Sequence, residues 1–236
     1  MMQAKLKNLN ERYCHIIVLI AALISIVPFV VLSIYSRPSL DDFSNSLAIH
    51  QLMSTGEWNV LSLLSRAWSE NMRYYHTWNG LYSSQFLVQF QTGVFGEKYY
   101  FIGVVILILL GWSSFYILIK EIDRFFELNS KSFLIATAVY AYVLQGLPST
   151  IQGIYWIAGA CPYMGFLYLT IINIALVLRY YREKKFGFLV VLTILSFVIS
   201  GGSHVPSFFE PSFAFYVCSN WMVLSKKTVD YTVCIR

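Results

Sequence analysis

The 236-residue chain is 57% hydrophobic and 12% charged, with a net charge of +5. Soluble domains carry about 25% charged residues, and a globule of this size cannot hide so much apolar surface from water. The hydrophobicity excludes a disordered chain, and the scatter of basic residues in small groups between apolar runs excludes a nucleic-acid-binding face.

The composition is that of an all-α polytopic integral membrane protein whose first partner is the lipid bilayer. A membrane helix needs about 20 mostly apolar residues. The first such run spans residues 15–35, with Pro28 as a candidate kink. It is too long for a signal-peptide core and no small-x-small cleavage site follows it.

A long polar segment, 36–98, comes next and opens with Arg37-Pro38-Ser39-Leu40-Asp41-Asp42-Phe43. Asp41 and Asp42 are the chain's only adjacent carboxylates. Capping of a helix start by Ser39 or Asp41 explains them locally. A carboxylate at the water–membrane boundary can also serve as a general base. Neighbouring helix positions lie about 100° apart, so at most one of the two points into a site. Adjacent aspartates are not a DxD arrangement, and neither a metal nor any other cofactor is expected.

From Trp58 onward, Leu61, Leu64, Trp68, Met72 and Tyr75 recur at helical spacing, with Arg66, Glu70 and Arg73 away from them. This predicts an amphipathic interfacial helix in the membrane plane, its aromatic residues at headgroup depth. Arg66 and Arg73 either grip a lipid phosphate or stand solvated. Read as a helix from Trp78, the following stretch places Trp78, Tyr82, Gln85 and Gln89 on one face beside Asn79. Aromatic rings next to amides suit a sugar, and they equally suit an ordinary interfacial aromatic belt.

Further spans are predicted at about 99–119, 132–147, 163–179, 186–200 and 208–224, six in all with the first. Pro148, Gly153, Gly159 and Pro162 mark one connection, and Gly201-Gly202-Ser203-His204-Val205-Pro206 marks another. The 186–200 run is short enough to be re-entrant. Trp156 continues the aromatic theme, and His204 with Glu210 adds a titratable pair. Cys14, Cys161, Cys218 and Cys234 show no metal or disulfide spacing and read as small apolar residues. The tail beyond Lys227 has no pattern, so residues 1–236 read as a single membrane domain with a truncated C-terminus.

With a cytoplasmic N-terminus, 13 of the 17 Lys and Arg residues fall on inner segments, leaving Arg37, Arg66, Arg73 and Lys98 outside. That bias sets the orientation and puts segments 36–98, 148–162 and 201–211 on the outer face.

The basic N-terminus, the first span, Asp41-Asp42-Phe43, the long outer loop with surface helices and Tyr75-His76-Thr77-Trp78-Asn79-Gly80 together resemble a family. They are similar to bacterial polytopic proteins related to O-antigen glucosyltransferases, of the GT-C class. Leu81 stands where relatives often carry a basic residue, and the class usually has more spans. The resemblance implies a multi-pass protein of the bacterial inner membrane. It implies transfer of a sugar from a polyprenyl-phosphate-linked donor to a surface glycan or lipid acceptor, with Asp41 or Asp42 as the catalytic acid-base group. In that frame Arg66, Arg73, Trp78, Asn79, Tyr82, Gln85, Trp156, His204 and Glu210 are the candidate substrate-binding residues. The alternatives are a transporter or flippase, which would keep ionisable groups within the spans and use broken helices, and a non-catalytic remnant of a longer enzyme.

Overall fold

The structure, a computed structural model, describes residues 2–208, with side chains described from Tyr13 onward. Among them every regular element is helical. In chain order these are α1 (Met2–Ser33), α2 (Asp41–Ser54), α3 (Val60–Thr77), α4 (Ser83–Val88), α5 (Tyr100–Phe126), α6 (Ser132–Gln145), α7 (Ile157–Ala160), α8 (Phe166–Glu183) and α9 (Phe186–Ser200). Short 3-10 turns cover Thr92–Phe95 and Glu97–Tyr99, and π-turns cover Ile151–Tyr155 and Cys161–Gly165.

Three helical runs are long and apolar enough to cross a membrane: Tyr13–Ser33, Glu97–Phe126 and Ile157–Glu183. The shortest has 21 residues, which at a rise of about 1.5 Å per residue matches a hydrocarbon core of about 30 Å. Helices α6 and α9 fall where spans were expected, but they have 14 and 15 residues and stop short of that length. The expected span at 208–224, Glu210 and the tail lie outside the described residues.

Two boundaries differ from the sequence reading. Helix α5 continues past residue 119 to Phe126, because Lys120, Glu121, Asp123 and Arg124 extend it as an amphipathic end after the apolar run stops. The third long run starts at Ile157 rather than near residue 163. Pro162 does not end it. The chain widens into a π-turn there, which accommodates a ring that clashes with an α-helical ladder.

Helix α5 packs on α8, α6 and α1, and α8 packs on α9. At the centre, Tyr100, Val104, Leu107, Ile108, Tyr140, Ile157 and Tyr168 form the main core. Gly111 admits the rings of Tyr140 and Tyr168 against α5, where a Cβ would lie 2.6 Å from Tyr140. Gln145 Nε2 and Tyr155 OH donate to the carbonyls of Ser25 (3.0 Å) and Phe29 (3.1 Å), holding α1 on either side of Pro28.

Residues 36–98 are a folded cap at one end of this bundle. It has its own core of Ile49, Leu63, Ala67 and Val94. Helix α3 turns Leu63, Ala67 and Asn71 inward. Its apolar stripe, Leu61, Leu64, Trp68 and Tyr75, stays exposed about a quarter turn away, as an interfacial helix requires. The opposite end of the bundle carries the α5–α6 and α8–α9 turns and most of the described basic residues.

Candidate functional site

The adjacent carboxylates separate at the start of α2. Asp41 is exposed and Asp42 is wholly buried. Asp42 Oδ2 accepts from Ser39 N–H (3.0 Å) and Tyr100 OH (2.7 Å), and Oδ1 accepts from Ala158 N–H (2.9 Å). Tyr100 OH in turn accepts from Ile157 N–H (2.8 Å). The first N–H groups of a helix have no partner within it. Asp42 and Tyr100 therefore cap the Ile157–Glu183 run from outside its own segment, with a negative charge at the positive end of the helix dipole. Burial raises the Asp42 carboxyl above its ordinary value, outweighing the three donors that favour its charged form.

Neither Ser39 nor Asp41 caps α2. Leu40 holds the N-cap position with no side-chain bond, at φ 46°, a left-handed backbone that is strained for a leucine. The Ser39–Asp42 pairing holds that turn in place, since Asp42 N–H also donates to Ser39 O at 3.0 Å. Among the described residues Asp41 has no hydrogen-bond or ion-pair partner for its carboxylate. It lies one helical turn from Asn45, whose Oδ1 accepts from Gln85 Nε2 at 2.9 Å.

The proposed sugar face does not form as one helical surface. Asn79 Oδ1 accepts from Leu81 N–H (3.1 Å) and Gly80 sits at φ 66°, so the chain turns after Trp78 and helix resumes only at Ser83. Trp78 is exposed, whereas Gln89 is fully buried. Tyr82 OH is committed to the Phe197 carbonyl at 2.6 Å and its ring packs on Phe197. Gln85 remains close to the Asp41 face.

Arg66 and Arg73 both pair with Glu70, at 3.4 and 2.7 Å, so neither is a free guanidinium. Trp156 precedes the capped Ile157 N–H, and its buried indole Nε1 has no acceptor among the described residues. His204 is exposed; Glu210 lies outside the described residues. Among the described residues no three His, Cys, Asp or Glu side chains gather as a metal-binding group.

The sequence reading missed a 420 Å³ cavity on the other side of α2, lined by Phe43, Leu47 and His50 of that helix with Gln91, Phe95 and Glu97. The 43–47–50 spacing was visible as a helical face. His50 and Glu97 stand far apart in sequence, and nothing local joins them. An apolar groove of 150 Å³ lies below α4, between α5 and the Ile157–Glu183 run, lined by Leu87, Ile106, Leu110, Ile157, Cys161 and Leu169.

No protein-family model, curated protein or solved structure matches this chain.

Proposed function

We propose that the chain is a multi-pass inner-membrane glycosyltransferase of the GT-C type with its N-terminus in the cytoplasm. It moves a sugar from a polyprenyl-phosphate donor to a surface glycan or lipid on the extracytoplasmic face. The observation that carries this reading is the division of labour between the two aspartates. One is locked into the scaffold, and the other is held accessible on the same helix start with no partner among the described residues.

Asp41 takes the proton from an acceptor hydroxyl as that oxygen attacks the anomeric carbon. The bond from that carbon to the phosphate oxygen breaks, and the polyprenyl phosphate leaves with the electron pair. Positive charge or hydrogen-bond donors at the phosphate stabilise that departure. Exposed His204 and the half-exposed Arg66 and Arg73 are the candidates, the arginines only after release from Glu70. The apolar groove below α4 supports an isoprenoid tail next to the reacting head. Trp78, Asn79, Gln85 and Trp156 surround the acceptor side in this reading.

With protein levels matched in cells, Asp41→Asn is expected to lower sugar addition to the surface glycan about 100-fold or more, the usual scale for losing a general base. Unchanged addition overturns the assignment.

One observation favours a second reading, a transporter or flippase. The segment 151–165 is broken by two π-turns around the buried Asp42 carboxylate, and broken helices beside an ionisable group are a transporter feature. Movement of a polyprenyl-phosphate sugar across vesicles holding the purified protein, without transfer to acceptor, decides for it.

A further inference from the structure

At the end of the bundle opposite the cap, α1, the last turns of α5 and the start of α6 border an open cavity of 530 Å³. Its wall toward the bundle is apolar, with Ile16, Leu19 and Phe133. Its rim is basic, with Lys120, Arg124 and Lys131 against one acid, Asp123.

The neighbouring carboxylates are already engaged. Asp123 accepts from Ser130 N–H (2.6 Å) and Ser132 Oγ (3.3 Å), closing the α5–α6 turn. Glu121 is bridged by Arg124 at 3.0 Å and Arg182 at 2.9 Å. The two lysines are different. Lys120 Nζ reaches only the Tyr116 hydroxyl at 3.4 Å and lies 5.3 Å from that ring's centre. Lys131 Nζ meets His15 Nδ1 across the cavity mouth. Among the described residues neither ammonium has a carboxylate within ion-pair distance.

We infer that this cavity binds the phosphate headgroup of an anionic phospholipid from the leaflet bordering this end, with one acyl chain along Ile16, Leu19 and Phe133. Two ammonium groups with no carboxylate within ion-pair distance attract a phosphate, and an apolar wall continuing into the exposed face of α1 accepts the chain. Ile16, Ile20 and Leu23 are all more than 40% exposed on that face. Basic pockets between membrane helices take such headgroups, and each surface lysine contributes a several-fold preference. Arg124 contributes less because Glu121 shares it. The inference depends on membrane embedding and not on the sugar-transfer reading.

The test reconstitutes the full chain in phosphatidylcholine vesicles with trace spin-labelled phosphatidylglycerol or spin-labelled phosphatidylcholine and measures the motionally restricted fraction of each. Wild-type protein is expected to prefer phosphatidylglycerol several-fold, and the preference should fall with added salt. In Lys120→Gln/Lys131→Gln it should drop about five-fold or to none, while Lys98→Gln, at the cap end, retains it. Circular dichroism confirms that each variant keeps its helix content, and Lys120→Arg/Lys131→Arg should restore the preference if folding of the glutamine variant is in question. Equal restriction of the two lipids by the wild type overturns the inference, as does full preference in the glutamine variant. Abolition of the preference by millimolar inorganic phosphate at constant ionic strength also overturns it, because the site would then belong to the free anion.

Discussion

Asp42 shows how one buried carboxylate can organise a charge-poor protein. It faces three donors and no acceptor, so its asparagine analogue must set an amide N–H₂ against at least one of them and leaves at least one hydrogen bond unmade. Asp42→Asn is expected to cost about 1–3 kcal/mol, read as a lower melting temperature in detergent. Because burial raises its folded pKa, the folded chain binds more protons at this group than the unfolded chain above about pH 4. Its contribution to stability therefore declines as pH rises through that value toward the raised folded one. The stability gap between wild type and Asp42→Asn should narrow over that window in pH-dependent unfolding, and a gap that widens contradicts the assignment. The sequence located this pair and stated that at most one of its members faces a site. Which one was not legible, because Tyr100 and Ala158 come from distant segments.

Helix ends show the same dependence on partners from elsewhere in the chain. The last carbonyls of α9 have no helical partner. Residues from the cap supply it: Tyr82 OH donates to Phe197 O, Ser83 Oγ to Val198 O, and Ser83 N–H to Gly201 O at 3.0 Å. Helix α4 thus begins where α9 ends. Gly201 and Gly202 allow this, since a Cβ at either position would fall within the Tyr82 or Phe166 ring. Gly202→Ala is expected to destabilise by about 1–3 kcal/mol through overpacking. Hydrogen exchange should then quicken over residues 197–202; unchanged protection there argues against the contact. The Gly-Gly step was legible as the end of a helix, but its reason is ring packing rather than a water-exposed turn. Similarly, the Trp78–Gln89 stretch failed as one helix because the Asn79-Gly80 turn overrode its helical spacing.

Across the whole molecule, the two ends of the bundle are built differently. The cap end is tied by hydrogen bonds to one acid, Asp42, the buried carboxylate there among the described residues. The basic end is tied by ion pairs, with Glu121 only 5% exposed and joining α5 to α8 through Arg182. Glu121→Gln takes its acid from Arg124 and leaves Arg182 only Glu183, at 3.1 Å. A loss of about 1–3 kcal/mol is expected, less than for a fully buried pair because both arginines are partly in water. Thermal unfolding in low and high salt checks this: the loss should shrink as salt rises, and a salt-independent loss points to packing instead.

Composition and periodicity alone determined that the chain is helical and belongs in a bilayer, where its apolar runs lie and where its rare carboxylate pair sits. These are local quantities, set by side-chain hydrophobicity and the helical repeat. Tertiary structure decided which aspartate is accessible, that Arg66 and Arg73 are already paired, that Tyr82 closes a helix end, and that two lysines share a cavity with no carboxylate within ion-pair distance among the described residues. Each of those outcomes depends on which distant donor, acceptor or ring the folded chain brings within a few ångströms, and no repeat within a single segment encodes that.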